Sequence, residues 1–304
     1  MPETFLLRLF SRLSARPRLR PYPGWQLGSR GKGATRWLYP LRKELWRRMP
    51  APVLISWLDG LRVYAYPGDE ACRSLFVTGY YEPNEFCVLD KILRPGMTFV
   101  DVGANMGLYT LFPAGRVGPQ GTVLAIEPSR REFERLQRNV EANALANVRL
   151  VQTAASDRRG EADLLIAGGG RSGHNTLGGF GYETPLQGKE RVQLQPLDEI
   201  VEREGLGRLD ILKMDIEGAE HAALRGATET LRRFRPMILM ELSDRSLQQQ
   251  GSSGAEVWEF LSHSGYAMYA FDPRTGLPAP AERKRCWDSE IVLAVHRLAS
   301  PVRW

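Results

Sequence analysis

The chain has 304 residues, 43% hydrophobic and 25% charged, with a net charge of +6. These values suit a globular protein of one large domain with an added subdomain, and exclude a disordered or fibrous chain. No run of 18 apolar residues marks a membrane span, and three scattered cysteines (Cys72, Cys87, Cys286) indicate neither a disulfide framework nor a zinc site.

The charge is uneven. Residues 1–50 hold twelve Lys and Arg against Glu3 and Glu44, a net +10, so the rest of the chain carries −4. A basic arm of this kind can touch an anionic membrane surface or nucleic acid, although a solvated helical extension is the simpler reading. Phe5, Leu6, Leu9, Phe10 and Leu13 fall at helical spacing, and arginines among them rule out a signal-peptide core. The cysteine usage points to a reducing compartment. The expectation is a cytoplasmic protein with peripheral membrane contact through the arm.

Leu38, Leu41, Leu45 and Trp46 predict a helix that ends before Pro50. The segment "VLISWLDGLRVYAYPG" predicts a hairpin turning at Asp59-Gly60. Residues 51–97 are thus a lead-in to the main domain, 98–298. From residue 98 strands and helices alternate: "TFVDVG", a helix through "LFPAGRVG", "TVLAIEP", a helix over "SRREFERLQRNVEANA" with Ser129 and Glu132 as a capping box, and "VRLVQTAASD" as a third strand. "LDILKMDIEG" is the fourth strand, a helix follows at 218–231, and "PMILMEL" is the fifth. After the helix "VWEFLSHSG", "YAMYAF" and "EIVLAVHRL" close the sheet. This predicts an α/β, doubly wound, mostly parallel sheet with helices on both faces. Residues 158–197, with the glycine-rich "AGGGRSGHNTLGGFG", break the alternation and read as an inserted hairpin and loop beside the active edge.

In such a sheet ligands lie beyond the carboxyl ends of the strands. The first turn, Gly103-Ala104-Asn105-Met106-Gly107, lacks the G-x-G-x-x-G spacing of a dinucleotide site. Asp101, before the turn, would repel a pyrophosphate but suits a cationic ammonium. S-adenosylmethionine (AdoMet) carries that group and no phosphate. Glu127 ends the second strand, where an acid can accept from both ribose hydroxyls. Asp157 ends the third, where it can accept from an adenine amine.

The segments "RPGMTFVDVGANMGLYT", "AIEP", "DILKMDIEGAE" and "PMILMEL" resemble the FkbM family of AdoMet-dependent methyltransferases, over about residues 75–245. The upstream "GYYEPNEF" is similar to that family too, and brings Glu82 into the set. The resemblance implies the class I (Rossmann-like) methyltransferase fold, a seven-stranded sheet with the last strand antiparallel. It also implies methyl transfer to a hydroxyl of a sugar, glycolipid or natural product. The cofactor set is Glu82, Asp101, Gly103, Ala104, Asn105, Gly107, Tyr109, Glu127, Pro128, Ala155, Asp157 and Asp215. Residues 1–50 and 167–190 lie outside the clear match and are expected to choose the acceptor.

Methyl transfer to an alcohol needs alignment and a base, since the hydroxyl is a weak nucleophile until its proton leaves. The fourth strand ends in Asp215-Ile216-Glu217-Gly218 rather than the Asn/Asp-Pro-Pro-aromatic sequence common among N-methyltransferases, which argues for a hydroxyl acceptor. Asp215 and Glu217 alternate with apolar neighbours and are expected on one side, near Glu241 of the fifth strand. His174, in the glycine-rich insert, is a further candidate base; His221 reads as an ordinary helix residue and Lys213 as a strand salt bridge. Clustered carboxylates also suit Mg²⁺, but no obligatory metal is expected. The competing readings are an RNA methyltransferase and an inactive AdoMet-fold binding protein. The charge sits in the arm and the body lacks basic–aromatic interleaving, so no nucleic-acid partner is expected. The chain carries no signal for an oligomeric state.

Overall fold

The computed structural model describes Leu19, residues 21–23 and residues 38–299. The helix expected at 3–14 and most of the basic arm fall outside the described residues. α1 (Tyr39–Arg47) buries Trp46 while Leu41 points to solvent at 46% exposure, so the apolar face is narrower than its spacing suggested. β1 (Val53–Ser56) and β2 (Arg62–Ala65) pair antiparallel with Ser56 opposite Arg62. Their connection is therefore the five residues 57–61, closed by Trp57 N–H donating to Leu61 O at 2.7 Å, and not a two-residue turn at Asp59-Gly60. α2 (Glu70–Thr78) is capped by Asp69, which accepts from Cys72 N–H. It ends at Gly79, whose φ of +83° is the left-handed cap that glycine adopts without strain. α3 (Pro83–Ile92) follows, with proline in its first turn.

The main sheet starts with β3 (Thr98–Val102), buried at every position, as a central parallel strand covered on both faces should be. Then come α4 (Leu108–Val117), β4 (Thr122–Ile126), α5 (Arg130–Ala142) and β5 (Val148–Val151). The stretch read as one third strand divides here. β6 (Ala154–Ser156) leaves the main sheet and joins β7 (Gly160–Ala167) and β8 (Leu186–Pro196) in a separate sheet ordered β6-β8-β7. α6 (Leu197–Arg203) leads to β9 (Ile211–Met214). The single helix expected at 218–231 is two, α7 (Glu220–Arg225) and α8 (Thr228–Phe234). The break falls at Gly226, where a Cβ would lie 1.9 Å from the Ser156 carbonyl, so β6 and the helix end meet backbone to backbone. β10 (Met237–Leu242), α9 (Asp244–Gln248), α10 (Gly254–His263), β11 (Tyr266–Phe271), β12 (Pro278–Pro280) and β13 (Glu290–His296) complete the chain.

The sheet order is β12-β11-β13-β10-β9-β3-β4-β5. β3, β4, β5, β9 and β10 are parallel, and β13 inserts antiparallel between β10 and β11. The seven strands expected are present, and three-residue β12 adds an eighth at the edge. Phe99 faces one core with Leu111 and Phe112, while Val100 and Val102 face the other with Leu212 and Met214. That period of two fixes which strand-end residues point toward α4. The chain leaves β3 for β4 on one side and enters β9 on the other, so the topological switch lies between β3 and β9. No helix among the described residues is long and apolar enough to cross a membrane.

Candidate active site

A cavity opens at the carboxyl ends of β3 and β4. Its floor is the turn 103–107, one wall is Glu127 and Pro128, and a second is Thr153 to Ala155. Residues of the insert, Leu164, Ser172, Gly173, Asn175 and Leu177, form the roof. Gly103 N–H and Ala104 N–H both donate to Ile126 O at 3.0 Å, which locks the turn onto β4. Asn105 takes the left-handed φ of +50° and presents its N–H to Glu127 Oε2 at 2.8 Å. Glu127 Oε1 accepts from Ser129 N–H at 2.9 Å. Burial still pushes the Glu127 carboxyl up to about 8, against the two backbone donors that favour its anion. The capping box does not form: Ser129 precedes α5, but its hydroxyl is buried without a partner and Glu132 instead pairs with Arg131 and Arg135.

The two glycines of the turn serve packing. A Cβ on Gly103 would stand 2.0 Å from Asp215 O, and one on Gly107 would stand 2.6 Å from Leu136 Cδ1. Gly103 thus lets β3 and β9 converge at their ends, beneath the cavity rather than within it.

Asp101 does not reach the cavity. It is fully buried behind the turn, accepts from Thr110 Oγ1 at 2.7 Å, and lies 3.5 Å from Lys213 Nζ. The cause is register: Asp101 sits directly opposite Lys213 in the β3–β9 ladder, on the face turned toward α4. Desolvation raises the Asp101 carboxyl and Lys213 opposes that rise. The acids that do line the cavity are Glu127 and Asp215. Asp157 is not brought there either. It follows β6 and pairs with Arg225 at 2.6 Å, away from the walls. Gly103, Ala104, Asn105, Gly107, Tyr109, Pro128 and Ala155 line the cavity.

A second cavity adjoins the first and shares Ala71, Tyr81, Ser172, Gly173 and Asp215 with it. Asp215, Glu217 and Glu241 meet in its wall, with one carboxylate oxygen of each within 4.8 Å of the others. Strand alternation does not bring them together, because β9 ends at Met214. Glu217 adopts φ +50°, and Glu220 holds that turn by accepting from Ile216 N–H at 2.9 Å and Gly218 N–H at 3.0 Å. Thr176 Oγ1 donates to Glu217 O at 2.8 Å and Ser246 Oγ to Glu217 Oε2 at 3.2 Å, tying insert and α9 to the same turn. Ser289 donates to Glu241 Oε1. Desolvation first, then the neighbouring acids, raises Glu217 well above its ordinary value and Glu241 to about 8. Three oxygens so placed could hold a divalent cation.

Glu82, placed with the cofactor set by resemblance, lines this second cavity instead, at φ +40° ahead of α3, and accepts from Tyr109 OH. Burial pushes it to about 8. His174 lines the same cavity, its Nδ1 3.2 Å from Thr184 Oγ1. Burial and then Arg171 lower its pKa, which keeps the ring neutral. His221 is elsewhere, against Ser252 and Phe260. Tyr81, Thr153, Ser172 and Asn175 were not anticipated as site residues. Tyr81 adjoins Glu82 in "GYYEPNEF", and Ser172 and Asn175 lie in the glycine-rich insert expected beside the active edge.

The profile of the methyltransferase FkbM domain matches residues 101–268, more than half of the chain. The 2-O-methyltransferase NoeI of Sinorhizobium fredii is 27% identical over 221 residues, 68% of this chain and 85% of that protein. Methyltransferase 1 of Beauveria bassiana is 27% identical over 215 residues, covering 62% of this chain and 81% of its own. The 31-O-demethyl-FK506 methyltransferase FkbM of Streptomyces tacrolimicus is 30% identical over 162 residues, 45% of this chain and 62% of that one. Among solved structures, methyltransferase FkbM from Methylobacillus flagellatus superposes with a TM-score of 0.40 at 17% identity, over 74% of this chain and 53% of that one. The sheet described above has the strand order of the class I, AdoMet-dependent methyltransferase fold, and the chain belongs to the FkbM family of methyltransferases.

Proposed function

We propose that the protein transfers the methyl group of AdoMet to a hydroxyl of a sugar, glycolipid or natural product. One observation carries this reading: two cavities, one over the glycine turn and one walled by carboxylates, meet at Asp215. In the first, Glu127 would hold the ribose hydroxyls and Asp215 the methionine ammonium. Ala155, Leu164 and Pro128 offer apolar flanks for a purine. This donor set fits AdoMet. When bound, AdoMet supplies a methyl on a sulfonium, an electrophile that needs only an aligned nucleophile.

The acceptor belongs in the second cavity. Its hydroxyl would give up a proton to one of the carboxylates gathered there. Glu241, raised to about 8, has the proton affinity of an effective base near neutral pH, and the neutral His174 imidazole is a second candidate. The names of NoeI and of the Streptomyces FkbM protein both describe O-methylation. A ribosomal RNA methyltransferase also matches, over 116 residues. The acids of this cavity oppose a phosphate backbone, so the hydroxyl reading is favoured over RNA.

The test is radiolabel transfer from methyl-tritiated AdoMet to a panel of glycosides, glycolipids, hydroxylated macrolides and RNA. Label in a hydroxylated small molecule or lipid, stable to mild base, is the expected result. Label in RNA alone, or in an amine, would overturn the reading.

A further inference from the structure

Lys213, expected in a strand salt bridge, is found in one: a lysine with 7% of its side chain exposed, in the middle of the parallel part of the sheet. Its ammonium donates to Gly103 O at 3.1 Å and lies 3.5 Å from Asp101 Oδ1 and 3.7 Å from Asp215 Oδ2, with the Tyr109 ring centroid 5.0 Å away. Asp101 is sealed from the cavity, while 28% of the Asp215 side chain is exposed. The three residues therefore form a line from the core, through the floor of the glycine turn, to the junction of the two cavities. Among the described residues, Lys213 is the cation paired with Asp215.

We propose that Lys213 is a positioning residue, its ammonium braced by the buried Asp101 and the Gly103 carbonyl so that it holds the Asp215 carboxylate aimed at the junction. The proposal rests on the AdoMet reading above. Asp101 then serves Lys213 and not the ligand. The need for a counter-charge is visible in the surroundings. Glu217 and Glu220 approach Asp215 from its own turn, Glu241 from β10, Glu82 from ahead of α3, and Tyr81 and His174 complete the titratable set. Lys213 faces Asp101 from β3, Tyr109 from α4, and, at longer range, Glu82 and Glu127. Without its charge, Asp215 would lose the ammonium that draws it toward the turn, and the four acids would be left to push it away.

Lys213→Met alone strands the Asp101 charge in the core and is expected to fold poorly. The informative variant is the double substitution Lys213→Met/Asp101→Asn, compared with Lys213→Arg and the wild type. AdoMet affinity is measured by calorimetry and folding by thermal denaturation. The double variant should fold yet bind AdoMet about tenfold or more weakly, and Lys213→Arg, which keeps a cation beside Asp215, should recover most of that affinity. Wild-type affinity in the folded double variant, or a loss in Lys213→Arg equal to that of the double variant, would make Lys213 structural only and overturn the proposal. Failure of the wild-type chain to bind AdoMet would instead defeat the functional reading. The Lys213 proposal is then judged on the unliganded protein by a thermal-stability cycle of Lys213→Met and Asp215→Asn in the Asp101→Asn background. Coupling between the two supports it, and additivity overturns it.

Discussion

Glu127 Oε2 accepts the backbone N–H of Asn105 at 2.8 Å, so the acid that ends β4 clamps the turn that follows β3. Its other oxygen takes Ser129 N–H at 2.9 Å. The same carboxylate that would receive a ribose is thus already part of the floor's hydrogen bonding. In Glu127→Gln one amide N–H₂ must face a backbone N–H, a loss of about 1–3 kcal/mol for the unsatisfied buried donor. AdoMet affinity should fall by about tenfold or more, with a lower melting temperature in the unliganded protein. Calorimetry and thermal denaturation measure the two, and normal values of both would remove Glu127 from the site.

Gly103→Ala should fail to fold stably. Its Cβ would sit 2.0 Å from Asp215 O, with no flexible side chain to yield. The cost should reach about 3 kcal/mol, the upper range for overpacking a filled core. Gly60 is the control: its φ is +86° but nothing lies within 4 Å of an added Cβ. Gly60→Ala should cost only the left-handed strain of about 1–2 kcal/mol. Equal denaturation midpoints for the two variants would contradict the close approach of β3 and β9.

The unliganded protein should lose stability as pH rises from about 5 to 8. Glu82, Glu127 and Glu241 have pKa values near 8, and Glu85 and Glu220 near 7, each raised first by burial from 4.5. The folded state therefore binds more protons than the unfolded chain across that window, and the stability slope with pH is negative. Above the folded pKa values the penalty is complete; below 4.5 it is absent in both states. The melting temperature should drop by about 5 °C or more between pH 5 and 8, since each 1 kcal/mol moves a chain of this size by a few degrees. A flat or rising profile would contradict the buried-acid picture.

The carboxylates should divide by function. Glu217→Gln and Glu241→Gln touch only the second cavity and should leave AdoMet affinity nearly unchanged. Whichever is the base should lose about 10²–10⁴ in turnover. Asp215→Asn lines both cavities and should lower affinity and turnover together. Normal turnover in both glutamine variants, with loss in His174→Ala, would move the base to the insert. If chelation abolishes turnover and Mg²⁺ alone restores it, the trio binds a metal.

The strands that build the site were legible because they are central: "TFVDV", "TVLAI" and "MILMEL" are apolar runs of strand length between turn signals, and buried parallel strands read that way. The division of "VRLVQTAASD" into β5 and β6 was not legible, since both pieces are apolar and only their partners differ. Losing that division placed Asp157 at the end of a main-sheet strand, whereas it follows β6 in the smaller sheet. Asp101 shows a different limit. Its position at the end of β3 was clear, but whether it faces a ligand or a neighbour depends on its register with Lys213, 112 residues later. Asp215, Glu217 and Glu241 do converge, yet through a left-handed turn at Glu217 that alternation cannot foresee. The glycine turn and Glu127 were the readable part of the site because their spacing is local.

The central claim is that the cavity over the glycine turn holds the cofactor beside a carboxylate-walled acceptor site. Crystals grown with S-adenosylhomocysteine test it most directly. The account expects the nucleoside between Glu127 and Ala155, with the amino-acid end toward Asp215 and the sulfur facing the cavity of Glu217 and Glu241. Density elsewhere on the chain, or none at saturating ligand, would contradict it.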